Sequence, residues 1–152
     1  MNTSTNNILD TIISEVNSID HKIKGLNFLE ILKVNLLEKL SFENVQNISL
    51  NKFEQIEKKV ITNNRYIKIY VKFVQSSFII SKKILEEDTL FMSLNEFSSF
   101  DIYENEKNCV NIPLHKNTGM SLPKNTIINA KFNKNVLLIE ILYKDQEQIL
   151  TN

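Results

Sequence analysis

The chain has 152 residues, 42% of them hydrophobic, and its 18 basic and 18 acidic side chains cancel. That length suits one domain burying roughly 70% of its unfolded surface, so no disulfide or metal staple is required. Without a net field, and with Arg65 as the only arginine, nucleic acid and membrane surfaces are not expected as partners, because phosphate recognition leans on positive fields and bidentate arginine.

At the N-terminus, Met1 to Asp10 is rich in Asn and Thr and has neither a basic n-region nor an apolar h-region. No uncharged apolar run approaches the ~20 residues of a transmembrane helix. The single cysteine, Cys109, cannot close an intramolecular disulfide, which fits a reducing compartment, and a cytoplasmic location is expected.

Ile8, Leu9, Ile12, Ile13, Val16, Ile19 and Ile23 recur at spacings of three and four, with Asp10, Glu15, Asp20 and Lys24 on other faces. This period predicts an amphipathic helix. Gly25 is placed to end it, and Leu29, Leu32, Leu36, Leu37 and Leu40 resume the same period up to Ser41. Residues 1–42 are therefore expected to form a helical pair packed on a β unit of residues 43–152, the whole being one compact body. The same apolar stripe is suited to packing across a twofold axis, so a homodimer is an expected assembly.

After Ser41 the period changes to two. Ile67, Ile69, Val71 and Phe73 alternate with Tyr66, Lys68, Tyr70 and Lys72, the pattern of a half-buried strand. Ahead of it, Asn51 to Val60 reads as strand in preference to a short helix, and Asn63 with Asn64 suits a hairpin turn. Further apolar runs follow at residues 78–85, 90–94, 100–103, 110–114, 126–132 and 136–143. Only two glycines are available, so Asn must supply the positive-φ positions, and turns are expected near Asn95, Asn105, Asn117, Asn125 and Asn135. Short strands with a turn every eight to twelve residues predict a mainly β sandwich or barrel preceded by a pair of α-helices. The basic pairs Lys58 with Lys59 and Lys82 with Lys83 read as solvated strand or turn residues.

Gly119 to Ile128, with Pro123 and Asn125, followed by an apolar strand ending Ile139-Glu140-Ile141, resembles the second conserved motif of the cupins, small jelly-roll barrels. The resemblance implies a cupin-like jelly roll. At the position where a metal-binding cupin supplies its final His ligand this chain has Ile128, and Tyr66 to Asp101 contains no paired His and Glu of the first cupin motif. With His21 and His115 as the only histidines, no metal and no cofactor is expected.

Among residues able to carry chemistry, His115 is a candidate general base. Glu140 stands on a strand face otherwise made of Val136, Leu138 and Leu142; burial there would raise its pKa as a catalytic acid requires, whereas a place at the strand's wet end would leave it without a role. Tyr66, Tyr70 and Tyr103 are candidate ligand-binding residues, able to stack on or hydrogen-bond a sugar. Cys109 has no His nearby in sequence and reads as a buried, inert thiol. No nucleophile elbow, glycine-rich phosphate loop or paired-Cys metal spacing occurs. The expected function is a metal-free small-molecule-binding or regulatory module with a carbohydrate-like ligand. The alternatives are a metal-independent nucleotide-sugar isomerase or epimerase of cupin type, using His115 and Glu140, and a structural or protein-interaction role.

Overall fold

A computed structural model describes residues 5–40, 54–62, 65–74 and 76–145. The predicted helical periodicity resolves into α1 (Thr5–Ser18) and α2 (Gly25–Lys39). Ile8, Ile12 and Val16 of α1, and Phe28, Leu29, Leu32 and Leu36 of α2, are fully buried, each worth roughly 1.5–3 kcal/mol relative to exposure. The apolar spacing runs on to Ile23, but the helix stops at Ser18, and a turn closes with Ile23 N donating to Asp20 O at 3.0 Å. Gly25, expected to end the first helix, instead opens the second with φ +64°, a left-handed start that costs glycine nothing.

Nine strands follow among the described residues: β1 (Glu54–Thr62), β2 (Arg65–Val74), β3 (Phe78–Ile84), β4 (Asp88–Ser93), β5 (Ser98–Tyr103), β6 (Cys109–Leu114), β7 (Thr118–Leu122), β8 (Ile127–Phe132) and β9 (Val136–Asp145). They form a five-stranded sheet in the order β1-β2-β9-β4-β7 and a four-stranded sheet in the order β3-β8-β5-β6, with all pairs antiparallel. The expected architecture, a mainly β jelly-roll sandwich with two helices ahead of it, is what the chain adopts. The segment read as strand over 51–60 is strand from Glu54. The Asn63-Asn64 turn, the 42/43 boundary and Asn51 to Phe53 lie outside the described residues. Asn117, Asn125 and Asn135 take φ values of 58°, 74° and 63°, so asparagine does supply the left-handed turns. β7 is a strand that the sequence reading did not anticipate; it is five residues long and contains Gly119 and Ser121, too short and too polar for alternation to show.

Strand alternation divides the apolar residues between two cores. Ile67, Ile69, Val71 and Phe73 of β2, Leu90 and Met92 of β4, and Leu137, Ile139, Ile141 and Tyr143 of β9 pack with the helices. The opposite face of the same sheet packs Phe91, Leu138 and Val136 against Phe100, Ile128, Ala130 and Phe132 of the four-stranded sheet. The five-stranded sheet is thus covered on both faces.

Arg65, at the start of β2, fixes the helical layer to this sheet. It is fully buried and donates through Nη1 to Ile19 O and through Nη2 to Ile23 O, both at 3.1 Å, and to Asp20 O. Its guanidinium lies 4.5 Å from the Phe28 ring centroid. A cation where α1 ends satisfies carbonyls that have no helical partner and complements the helix dipole. Burial pulls its pKa below the usual arginine value, partly opposed by Tyr143 and Asp20. The only arginine of the chain is therefore committed to structure.

Candidate functional site at the open end of the sandwich

The inward face of β2 reads Val74, Lys72, Tyr70, Lys68, Tyr66 along its length, and that of β9 reads Val136, Leu138, Glu140, Leu142, Lys144. Both faces are apolar at one end and polar at the other, because alternate residues share a face and the two strands run in register, Val74 opposite Val136 and Tyr66 opposite Lys144. The apolar end is filled, with Phe78 and Phe132 rings stacked at 4.6 Å and Phe100 set edge-on to Phe132 at 5.6 Å. The polar end cannot close in the same way, and there the sheets part over a cavity of about 480 Å3.

Lys68, Tyr70 and Lys72 from β2, Thr89 from β4, Glu140 and Leu142 from β9, and Lys83 to Glu86 from the end of β3 line this cavity. A smaller recess of about 320 Å3 adjoins it through the shared Lys68, Glu86 and Leu142, and adds Tyr66, Glu87 and Lys144.

Lys83 reaches the cavity through a backbone irregularity. β3 pairs Ile80 with Ala130 but Lys83 with Ile128, so Ser81 and Lys82 together face the single residue Asn129. This is a β-bulge, which shifts the alternation by one and re-aims the next side chains. Without it Lys82 would follow Phe78 and Ile80 inward; with it Lys83 turns in. The bulge is held by Lys82 N donating to Asn129 Oδ1 at 2.8 Å, and Lys82 takes φ 43°.

Glu140 is the centre of the site. It lies directly opposite Tyr70 on one side and Phe91 on the other, and its side chain is 8% exposed. Oε2 accepts from Lys72 Nζ at 3.0 Å, and Oε1 lies 3.9 Å from Lys83 Nζ. A carboxylate this buried is tolerable because ammonium groups replace lost hydration. Lys72 and Lys68 lie 5.0 and 5.4 Å from the Tyr70 ring centroid, so that ring is flanked by cations. Hydrogen bonds to Tyr70 and to Glu57 hold the Lys68 ammonium well above the usual lysine range; the Glu57 contact is 3.3 Å. At the rim, burial raises the Glu87 carboxyl above its ordinary value, opposed by Lys124 and Lys144.

The structure brings together Glu140, Tyr70 and, in the adjoining recess, Tyr66. It does not bring Tyr103 or His115 to them. Tyr103 lies beside a separate recess of about 440 Å3 with Lys82, Ile84 and Ile127, where its hydroxyl accepts from Asn129 Nδ2 at 2.8 Å. His115 follows β6 and is exposed, with its ring 5.6 Å from that of Phe97. Lys68 and Lys72 were not singled out as site residues by the sequence, since lysines alternating along a strand have the pattern of a solvated face, and Lys83 read as half of a solvated basic pair.

The donors do not fit a metal. Ile128, which the sequence resemblance sets where a metal-binding cupin has its final His, is fully buried in the core between the sheets. Among the described residues no group of three or more His, Cys, Asp or Glu is placed to hold an ion. Cys109, expected to be buried, is instead exposed at the start of β6, in a strand whose residues are mostly exposed. No helix among the described residues is long and apolar enough to cross a membrane.

No protein-family model and no curated protein matches the chain. Solved structures do resemble it. A cupin superfamily protein from Desulfitobacterium hafniense aligns over 62% of this chain and 80% of its own, at 14% identity and a TM-score of 0.46. An RmlC-like cupin family protein with a double-stranded β-helix fold from Methanocaldococcus jannaschii aligns over 67% and 90%, at 10% identity and a TM-score of 0.46. The cupin domain of Drosophila melanogaster CENP-C aligns over 58% and 75%, at 7% identity and a TM-score of 0.44. The chain is thus similar to cupin superfamily proteins.

Proposed function

We propose that this chain is a small-molecule-binding module whose ligand, a hydroxylated, sugar-like compound, sits at the open end of the sandwich. One observation carries the reading: the buried Glu140 and the flanking Tyr70 face a cavity of about 480 Å3 at the point where the packed core stops. The size is that of a ligand site, and convergent polar groups stand beside apolar wall residues, here Leu85 and Leu142. Glu140 and Thr89 offer acceptors to ligand hydroxyls, the lysines offer donors, and the Tyr66 and Tyr70 rings offer surfaces for a sugar face. His115 stands outside the cavity, so acid–base chemistry pairing it with Glu140 forms no part of the proposal.

The test is methyl NMR on the intact chain during a screen of small polar metabolites. Binding should shift Leu85 while leaving α2 methyls in place, and Leu142→Trp, which fills the mouth, should abolish the shift. Equal shifts in both proteins would remove the reading. A second reading, association of two copies through the helices, draws on Ile31 and Val34 of α2, which are 37% and 53% exposed. Sedimentation showing a monomer at all concentrations would dispose of it.

A further inference from the structure

The charges at the cavity are unevenly matched, although the chain as a whole has no net charge. Three ammonium groups, Lys68, Lys72 and Lys83, face the carboxylates Glu86 and Glu140. Glu57, from outside the cavity, serves Lys68 at 3.3 Å, and Glu140 serves Lys72 at 3.0 Å. Lys83 is left with the long contact of 3.9 Å to the other oxygen of Glu140, beyond hydrogen-bond reach. Yet Lys83 is brought inward only by the bulge, whose residue Lys82 adopts the left-handed φ of 43° that side-chain-bearing residues rarely take. The backbone departs from regular pairing here to aim an ammonium into a cavity where its ion-pair oxygen, Glu140 Oε1, stands 3.9 Å away.

We infer that the ligand of this site carries an oxyanion, a carboxylate or phosphate, which Lys83 receives while Lys72 and Glu140 hold its neighbouring hydroxyls. This inference rests on the binding reading above and narrows it to hydroxylated acids and phosphate monoesters of about monosaccharide size. The side chain of Lys83 is 48% exposed and that of Lys72 only 24%. An entering anion therefore meets Lys83 first, at the mouth, with the Lys72–Glu140 pair behind it. Charge-assisted hydrogen bonds of this kind are about twice as strong as neutral ones, which gives the charged end of the ligand control of its orientation.

The test titrates the intact chain with glucose 6-phosphate, glucuronate, inorganic phosphate and glucose, reading the Leu85 and Leu142 methyls. Saturable shifts are expected with glucose 6-phosphate, glucuronate or both, and binding of glucose roughly tenfold weaker or more. The difference between the two charged sugars assigns phosphate or carboxylate, and inorganic phosphate shows how much of the affinity lies in the anion alone. Lys83→Gln should bring charged and neutral sugars to equal affinity, whereas Lys131→Gln, the same charge change on an exposed site of β8, should change nothing. If glucose binds as well as its charged relatives, and Lys83→Gln has no effect, the oxyanion inference fails and the cavity reading stands. If none of the four produces a saturable shift, both fail.

Discussion

Glu140 and Lys83 face each other across the sandwich, one from each sheet, with 3.9 Å between Oε1 and Nζ. Below this pair the sheets are joined by Leu138, Phe91, Phe100 and Phe132; above it they part. The pair marks the level at which the interior changes from core to site, and its charges oppose further apolar closure because burial without a partner is costly.

The Lys72–Glu140 ion pair should behave as a buried unit. Glu140→Leu leaves Lys72 beside Lys68 and Lys83 without its carboxylate, and Lys72→Met leaves Glu140 with only the distant Lys83, so each is expected to cost about 2–4 kcal/mol. The double replacement should cost less than the sum of the two, with a coupling of about 1–3 kcal/mol. Urea denaturation of the four proteins measures this, and strict additivity would show the pair to be energetically idle.

Lys82 holds φ 43° where the bulge forms, so Lys82→Gly should relieve backbone strain and leave stability unchanged or raised by up to about 1 kcal/mol. Deleting Ser81 removes the extra residue and leaves Lys82 alone opposite Asn129, so Lys83 keeps its pairing with Ile128 and its inward aim. Ligand affinity should therefore survive both changes, and its loss in the deletion alone would show that the bulge itself sets the reach of Lys83.

What the sequence showed of this site follows from which signals are local. Period two in β2, the apolar run of β9, and asparagine at positions 117, 125 and 135 are local and predicted strands and turns where they occur. Glu140 was visible because a charge interrupts an apolar strand face. Alternation defines two faces without saying which neighbour covers each, however, and the apolar face of β2 meets the helices while its Tyr and Lys face lines the cavity. Tyr66 and Tyr70 were noticed as aromatic residues, yet Lys68 between them and Lys72 beyond them looked solvated. Lys83 was hidden for another reason: its bulge contains no glycine, so nothing in the local sequence marks the change of face.

Gly119 lies where α2 crosses β7. A Cβ there would sit 2.9 Å from Met92 Cγ and 3.0 Å from Lys33 Cγ, closer than carbon atoms pack. Gly119→Val should force the helix off the sheet and cost about 1–3 kcal/mol by overpacking. Thermal melting gives the comparison, and Lys33→Ala in the same chain should recover part of the loss by clearing one of the two contacts.

Replacing Arg65 by Met keeps apolar bulk but withdraws the donors from Ile19, Asp20 and Ile23 carbonyls. Each buried carbonyl left unpaired costs about 1–3 kcal/mol, and a loss of at least about 2 kcal/mol is expected because some of the carbonyls can turn to water. Hydrogen exchange should locate the damage: amides of α1 should lose protection before those of β2 and β9. Uniform loss across both layers would mean that Arg65 supports the whole core and does not specifically anchor α1.

Glu87 gives the stability a dependence on pH whose sign is fixed by its environment. Burial raises its folded pKa above the ordinary value of 4.5, so between the two values the folded chain binds more protons than the unfolded one. Stability from this group is then fully present below about 4.5 and is lost as pH rises through the raised folded value. Glu87→Gln keeps the shape, cannot ionise, and should flatten that part of the profile, leaving the variant more stable than the parent above the window. Urea midpoints collected across the acidic to neutral range test the prediction. A parent and variant that run parallel throughout would show that Lys124 and Lys144, which oppose the burial effect, fully compensate it.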